Sequence, residues 1–77
     1  MKYKRFKENI NFAGYKNKEF AKLLGISQQS ITNYSKKGVP RYSALISELL
    51  ATLRYNSIDI DPIVKKYLDE SDTDIKI

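Results

Sequence analysis

Cysteine and histidine are both absent from this chain of 77 residues. Without cysteine there are no disulfides, no thiolate metal sites and no cysteine nucleophile. Without histidine, Ser–His chemistry and the commonest zinc ligands are excluded as well. No apolar run approaches the roughly 20 residues that a membrane-spanning helix needs, and the first residues show no secretory pattern. No membrane partner is therefore expected, and the expected location is cytoplasmic. Internal repeats, low-complexity runs and a glycine-rich phosphate loop are missing too. The nearest approach to acid–base or metal chemistry is the paired acids Asp59/Asp61 and Asp69/Glu70. Asp61 reads as a helix cap, and the others fall at a helix end or in an exposed linker. No convergent set of groups results, so the sequence predicts no enzyme, no cofactor, no metal and no small-molecule substrate.

What is present is a short chain with an uneven charge. Seventy-seven residues make one small domain, assigned to residues 1–70, with 71–77 as a short flexible tail. A core of that size is marginal, so a homodimer is expected to add burial. Residues 1–41 hold ten Lys or Arg and two acids, a net +8, whereas residues 42–77 hold four basic and seven acidic residues, a net −3. Basic charge gathered on one part of a chain with a pI near 9.5 is the footprint of a polyanionic partner. A merely solvated, Lys-rich surface is the blander reading.

The periodicity is helical throughout. Tyr3, Phe6, Ile10 and Ala13 recur at intervals of three and four, which predicts a first helix over residues 1–13 with Gly14 at its end. Lys2, Lys4, Arg5 and Lys7 leave its other faces, toward phosphates or toward solvent. Asn17 is placed as the N-cap of a second helix, whose apolar face is Phe20, Leu23 and Leu24. Tyr42, Leu45, Ile46, Leu49, Leu50 and Leu53 predict a long fourth helix over Arg41–Tyr55, mainly as core. Asp61 and Pro62 read as N-cap and first residue of a fifth, with Ile60, Ile63, Val64, Tyr67 and Leu68 on one side and an end near Glu70. Ile75 and Ile77 alternate, as an added strand would. Most of the six tyrosines and three phenylalanines fall on apolar faces and are assigned to the core. Tyr15 and Tyr55 are the least accounted for.

Residues 17–38 organise the rest. Gly25 stands where the second helix must stop, because a helix often ends in the left-handed conformation that glycine takes without steric cost. Ser27 follows as the N-cap of the third helix, able to accept a backbone N–H left unpaired there. Ile31 and Tyr34 turn inward, and Ala21 is small enough for the two helices to approach. The outward face then carries Gln28, Gln29, Thr32, Asn33 and Lys36. Side-chain amides match adenine edges in a DNA major groove, and threonine can meet a thymine methyl. Lys16, Asn17 and Lys18 cluster at the start of the second helix, where backbone N–H groups favour an anion. Lys36, Lys37 and Arg41 sit on the bend past the third helix. Tyr42 is either a further hydroxyl for that bend or part of the core.

Ala21, Gly25 and Ile31, spaced by four and six, together with Gln28-Gln29-Ser30 after Ser27, resemble the helix-turn-helix of the lambdoid phage repressor and Cro family, also called the Xre family. The resemblance covers about the first two-thirds of the chain. It departs in Asn17, where the family often has Gln, and in Tyr34, where it often has a plain apolar residue. It implies an all-α, five-helix repressor-like fold and a transcriptional regulator that binds double-stranded DNA, a repressor that covers a promoter. Gln28, Gln29, Thr32 and Asn33 would read bases. Lys16, Asn17, Lys18, Lys36, Lys37 and Arg41 would contact phosphates, with the loop after the third helix lying along the backbone. A domain this small covers few base pairs, so a homodimer on a two-fold operator is expected, with the fifth helix and tail as its surface. Two rival readings are an antitoxin-like or adaptor module that binds a protein through the fifth helix and acidic tail, and a fold that binds nothing through its third helix.

Overall fold

The computed structural model describes residues 1–69. It is all-helical, with five helices and no strand among the described residues: α1 (Tyr3–Ala13), α2 (Asn17–Leu24), α3 (Gln28–Lys37), α4 (Arg41–Tyr55) and α5 (Asp61–Asp69). The tail assigned to 71–77, with Ile75 and Ile77, and the expected helix end at Glu70 lie outside the described residues.

Three boundaries differ from the sequence reading by one or two residues, each for a local reason. α1 starts at Tyr3, after Lys2, whose carbonyl takes the first helical bond from Phe6 N at 3.1 Å. The N-cap of α2 is Lys16 and not Asn17, because Glu19 reaches back to accept the Lys16 N–H at 2.9 Å. A carboxylate three residues into a helix can satisfy the chain entering it, whatever the cap's own side chain. α5 includes Asp61, since Ile60 O already accepts from Val64 N at 3.0 Å.

Phe6 sits at the middle of the main core. It meets Phe20 and Tyr34 edge-on, at ring separations of 5.3 and 5.4 Å, the offset geometry that aromatic quadrupoles favour. Ile10, Ala21 and Ile31 complete the buried cluster, with Leu24, Ile26, Val39 and Ile46 against it. A second cluster of Ala13, Tyr15, Ile60 and Val64 holds α5, and Leu23 and Leu50 touch both. Tyr15, without a role in the sequence reading, is therefore core.

The inner face of α4 differs from the predicted one. Ser43 and Ser47 are fully buried, whereas Tyr42, Leu45 and Leu49 are 51%, 61% and 52% exposed. Only Ile46, Leu50 and Leu53 of the predicted stripe pack inward. The apolar arc of α4 is wider than one side of a helix, so its partners select which part is buried. Here the partners are polar: Ser47 accepts from Asn9 Nδ2 at 3.3 Å and donates to Ala44 O at 2.9 Å. Ser43 Oγ lies 2.8 Å from the Tyr34 hydroxyl. Small hydroxyls let α4 approach α1 closely and join it to α3 through Tyr34, and no buried polar side-chain atom is left unpaired among the described residues.

One polar network closes the far end. Arg54 donates through Nε and Nη2 to Ala13 O at 3.2 and 2.9 Å, capping the end of α1, and through Nη2 to Asp61 Oδ1 at 2.8 Å. The Tyr15 hydroxyl donates to the same carboxylate oxygen at 2.8 Å. Burial, then the Asp61 carboxylate, pushes the Tyr15 hydroxyl up to about 12. Arg54 first, then Tyr15, holds Asp61 below the usual carboxylate range.

Candidate nucleic-acid interface

The α2–turn–α3 unit is built as its turn residues require. Gly25 ends α2 at φ +74° and ψ 28°, the left-handed region that disfavours a Cβ. Nothing lies within 4 Å of the position a Cβ would take there, so glycine is needed for its backbone and not for room. Ser27 caps α3, its Oγ accepting from Ser30 N at 3.2 Å. Ile31 and Tyr34 are buried, which fixes the rotation of α3 about its axis and so decides which residues face out. Tyr34, the departure from a plain apolar residue, is explained by Ser43: the phenol ring fills the core and its hydroxyl holds α4. Burial pushes that hydroxyl's pKa up, against an opposing effect of the Ser43 bond.

Gln28, Gln29 and Thr32 are exposed and Asn33 is half-buried. Gln29 Nε2 donates to Asn33 Oδ1 at 3.1 Å, one turn on. This leaves the Gln29 carbonyl and one N–H, and the Asn33 amide N–H groups, for other partners. The Thr32 hydroxyl donates back to Gln28 O at 3.2 Å, so what it retains for a contact is its methyl and a lone pair. Ten residues of α3 span roughly 15 Å, and its exposed polar side bears no acid.

The predicted phosphate residues form two groups. Lys36 and Lys37 end α3 and Arg41 starts α4, all exposed. Lys37 and Asn33 line a cleft of about 480 Å³, floored by Ile26, Tyr34 and Val39 and edged by Tyr42. Tyr42 is thus a neighbour of the candidate site and not core. Lys16 and Lys18 are exposed and line a separate groove with Lys22, Glu19 and Asp69. Asn17 is half-buried, and its Oδ1 accepts from Lys7 Nζ at 2.7 Å. Its carbonyl side is therefore occupied within the protein, and Lys7 of α1 joins Lys16 and Lys18 at the start of α2. The pairing spans ten residues, and no local pattern signals it.

The acids considered for chemistry have structural partners: Asp61 with Arg54 and Tyr15, and Asp59 as acceptor for Asp61 N at 3.1 Å. No helix among the described residues is long and apolar enough to cross a membrane. No family model, no curated protein and no solved structure matches this chain.

Proposed function

We propose that this chain is a sequence-specific double-stranded DNA-binding regulator of the lambdoid repressor and Cro type, acting as a repressor through a helix-turn-helix formed by α2 and α3. The observation that carries the reading is the face of α3. Its inner side is locked by Ile31 and Tyr34, and its outer side presents Gln28, Gln29, Thr32 and Asn33. A buried inner face makes the outer one rigid, which base-edge hydrogen bonds require. Lys36, Lys37 and Arg41 at the α3–α4 bend, with Lys16 and Lys18 at α2, would fix register on the phosphates without reading sequence. Asn17, already bonded to Lys7, contributes through its backbone N–H at the start of α2 more readily than through its carbonyl. The chain acts as a homodimer on a two-fold operator. No catalytic role, cofactor or small-molecule substrate is part of this reading.

The test is binding of the purified chain to DNA upstream of its own coding sequence, against random DNA of equal length. Retardation of the upstream DNA at concentrations that leave random DNA free supports the reading. Equal retardation of both would reduce it to nonspecific polyanion binding. A second reading, a protein-binding module, is favoured by Ile63 and Tyr67, one turn apart on α5 and 66% and 51% exposed. It gains if neither DNA is bound.

A further inference from the structure

α4 carries more apolar surface than the core uses. Ser43 and Ser47 define its inner side, and at 3.6 residues per turn Leu45 lies diametrically opposite them. Tyr42, Leu45 and Leu49, all more than half exposed, follow the i, i+3, i+7 spacing of a helix–helix seam. Scattered exposed leucines need no explanation, but two leucines and a tyrosine aligned on one helix do.

We infer that this stripe is the surface through which two copies of the chain pair, α4 against α4 in antiparallel orientation. The charges beside the stripe select both the occupant and the direction. Arg41 and Glu48, seven residues apart, flank the same side of the seam, and the other side is bounded by Ile46 and Leu53, both half-buried against the core. In an antiparallel pair each flank faces its own copy. A crossing centred near Leu45 then sets Arg41 of each copy opposite Glu48 of the other, giving two symmetric ion pairs; in the dimer Arg41 serves this seam, and the phosphate contacts at the bend fall to Lys36 and Lys37. A parallel pair would set Arg41 and Glu48 against Ile46 and Leu53 and satisfy neither charge. Glu48 is free to exchange partners, because its present one, Arg5 at 3.8 Å, is an exposed long-range pair of the kind that contributes little. Tyr42 also edges the cleft that holds Asn33 and Lys37, so the seam adjoins the proposed DNA face. Half-sites about 34 Å apart would place each α3 about 17 Å from the two-fold axis, within reach of a domain measuring 34 × 30 × 18 Å. The pairing itself does not rest on the DNA reading; only its relation to an operator does.

Sedimentation equilibrium of the full chain without DNA tests the inference. The wild type should dimerise, and Leu45→Glu should weaken self-association at least roughly tenfold, as loss of a central anchor does. Leu45 is exposed, so at concentrations where both are monomers the variant should keep the wild-type helical melt, and only the dimeric wild type should gain stability with concentration. Arg41→Glu alone should weaken association, and Arg41→Glu combined with Glu48→Arg should recover it, which an effect on fold or net charge alone would not produce. A monomeric wild type at about 1 mM, unchanged association in Leu45→Glu, or no recovery in the double charge reversal would each overturn the inference. Association lost in Ile63→Asp but kept in Leu45→Glu would place the seam on α5 and overturn it too. With DNA, Leu45→Glu should bind a single half-site as the wild type does and lose only the gain from a full site. A chain that dimerises by these criteria yet binds no DNA would refute the proposed function and leave the pairing standing.

Discussion

Removing the Tyr34 hydroxyl separates what fixes α3 from what α3 presents. Tyr34→Phe keeps the ring that meets Phe6 edge-on at 5.4 Å and deletes the hydroxyl that bonds Ser43 Oγ at 2.8 Å and also interacts with Tyr42. Ser43 is fully buried, so its hydroxyl is left without its partner on α3. An unsatisfied buried hydroxyl costs about 1–3 kcal/mol. The ring and its apolar contacts are retained, so the lower half of that range is expected, about 1–2 kcal/mol. In a domain of this size each 1 kcal/mol lowers the melting temperature by about 4–8 °C. Ser43→Ala should cost less, because the Tyr34 hydroxyl borders an open cleft with Tyr42 and can turn toward water there. The double variant loses both partners together, so its cost should fall short of the sum by about 1 kcal/mol. The assay is urea unfolding of the wild type, both single variants and the double. Strictly additive costs, or a Tyr34→Phe variant as stable as the wild type, would refute the claim that this bond joins α3 to α4.

Three further outcomes follow from particular residues. Gly25→Val should cost about 1 kcal/mol or more, and Gly25→Ala nearly as much, because the strain lies in the φ of +74° with no neighbour to clash; unchanged thermal unfolding would contradict the turn. The Tyr15 hydroxyl, pushed from 10.0 to about 12 in the fold, contributes stability that is complete below pH 10 and lost as pH rises toward 12; the urea midpoint of wild type minus that of Tyr15→Phe should shrink over that window, and a constant difference would contradict it. Asp61 is shifted the opposite way by Arg54 and Tyr15, so its contribution is present above the ordinary carboxylate pKa and lost as pH falls through the lowered one; Asp61→Asn should flatten the acid limb of the unfolding profile, and an unchanged limb would count against the network.

The sequence made the α2–turn–α3 unit legible because its signals are local. Gly25, Ser27, Ala21 and Ile31 act within a few residues of themselves, and helical periodicity then decides that Gln28, Gln29 and Thr32 face out. The inner side of α4 was not legible. Its apolar arc offers two admissible faces, and the choice rests on Asn9 and Tyr34, which are 38 and 9 residues away from their serines. Arg54 was invisible for the same reason, since it caps Ala13 from 41 residues away. The misplaced cap at Asn17 is different: the Lys16–Glu19 spacing was there to be read, but a capping box is ordinarily sought behind Ser or Thr. Among the site residues, the Gln29–Asn33 bond has the i, i+4 spacing of helical neighbours, whereas the Lys7–Asn17 bond depends on how α1 meets α2.

Whether α3 reads sequence is decided most directly by comparing two variants on two DNAs. Gln29 is exposed in the first turn of α3, oriented by Asn33, and its amide can donate to and accept from one base edge. Gln29→Ala should therefore cost about 1–3 kcal/mol on the operator and little on random DNA. Lys37, at the end of α3 beside the bend, is assigned in the proposed reading to a phosphate and not to a base. Lys37→Ala should weaken both DNAs alike and reduce the salt slope by about one unit. Dissociation constants for each variant on operator and random DNA, at two salt concentrations, give the answer. A loss confined to the operator in Gln29→Ala, beside a uniform loss in Lys37→Ala, is the predicted result. Equal weakening of both DNAs by Gln29→Ala, or no weakening of either, would contradict the reading of α3 as the recognition helix.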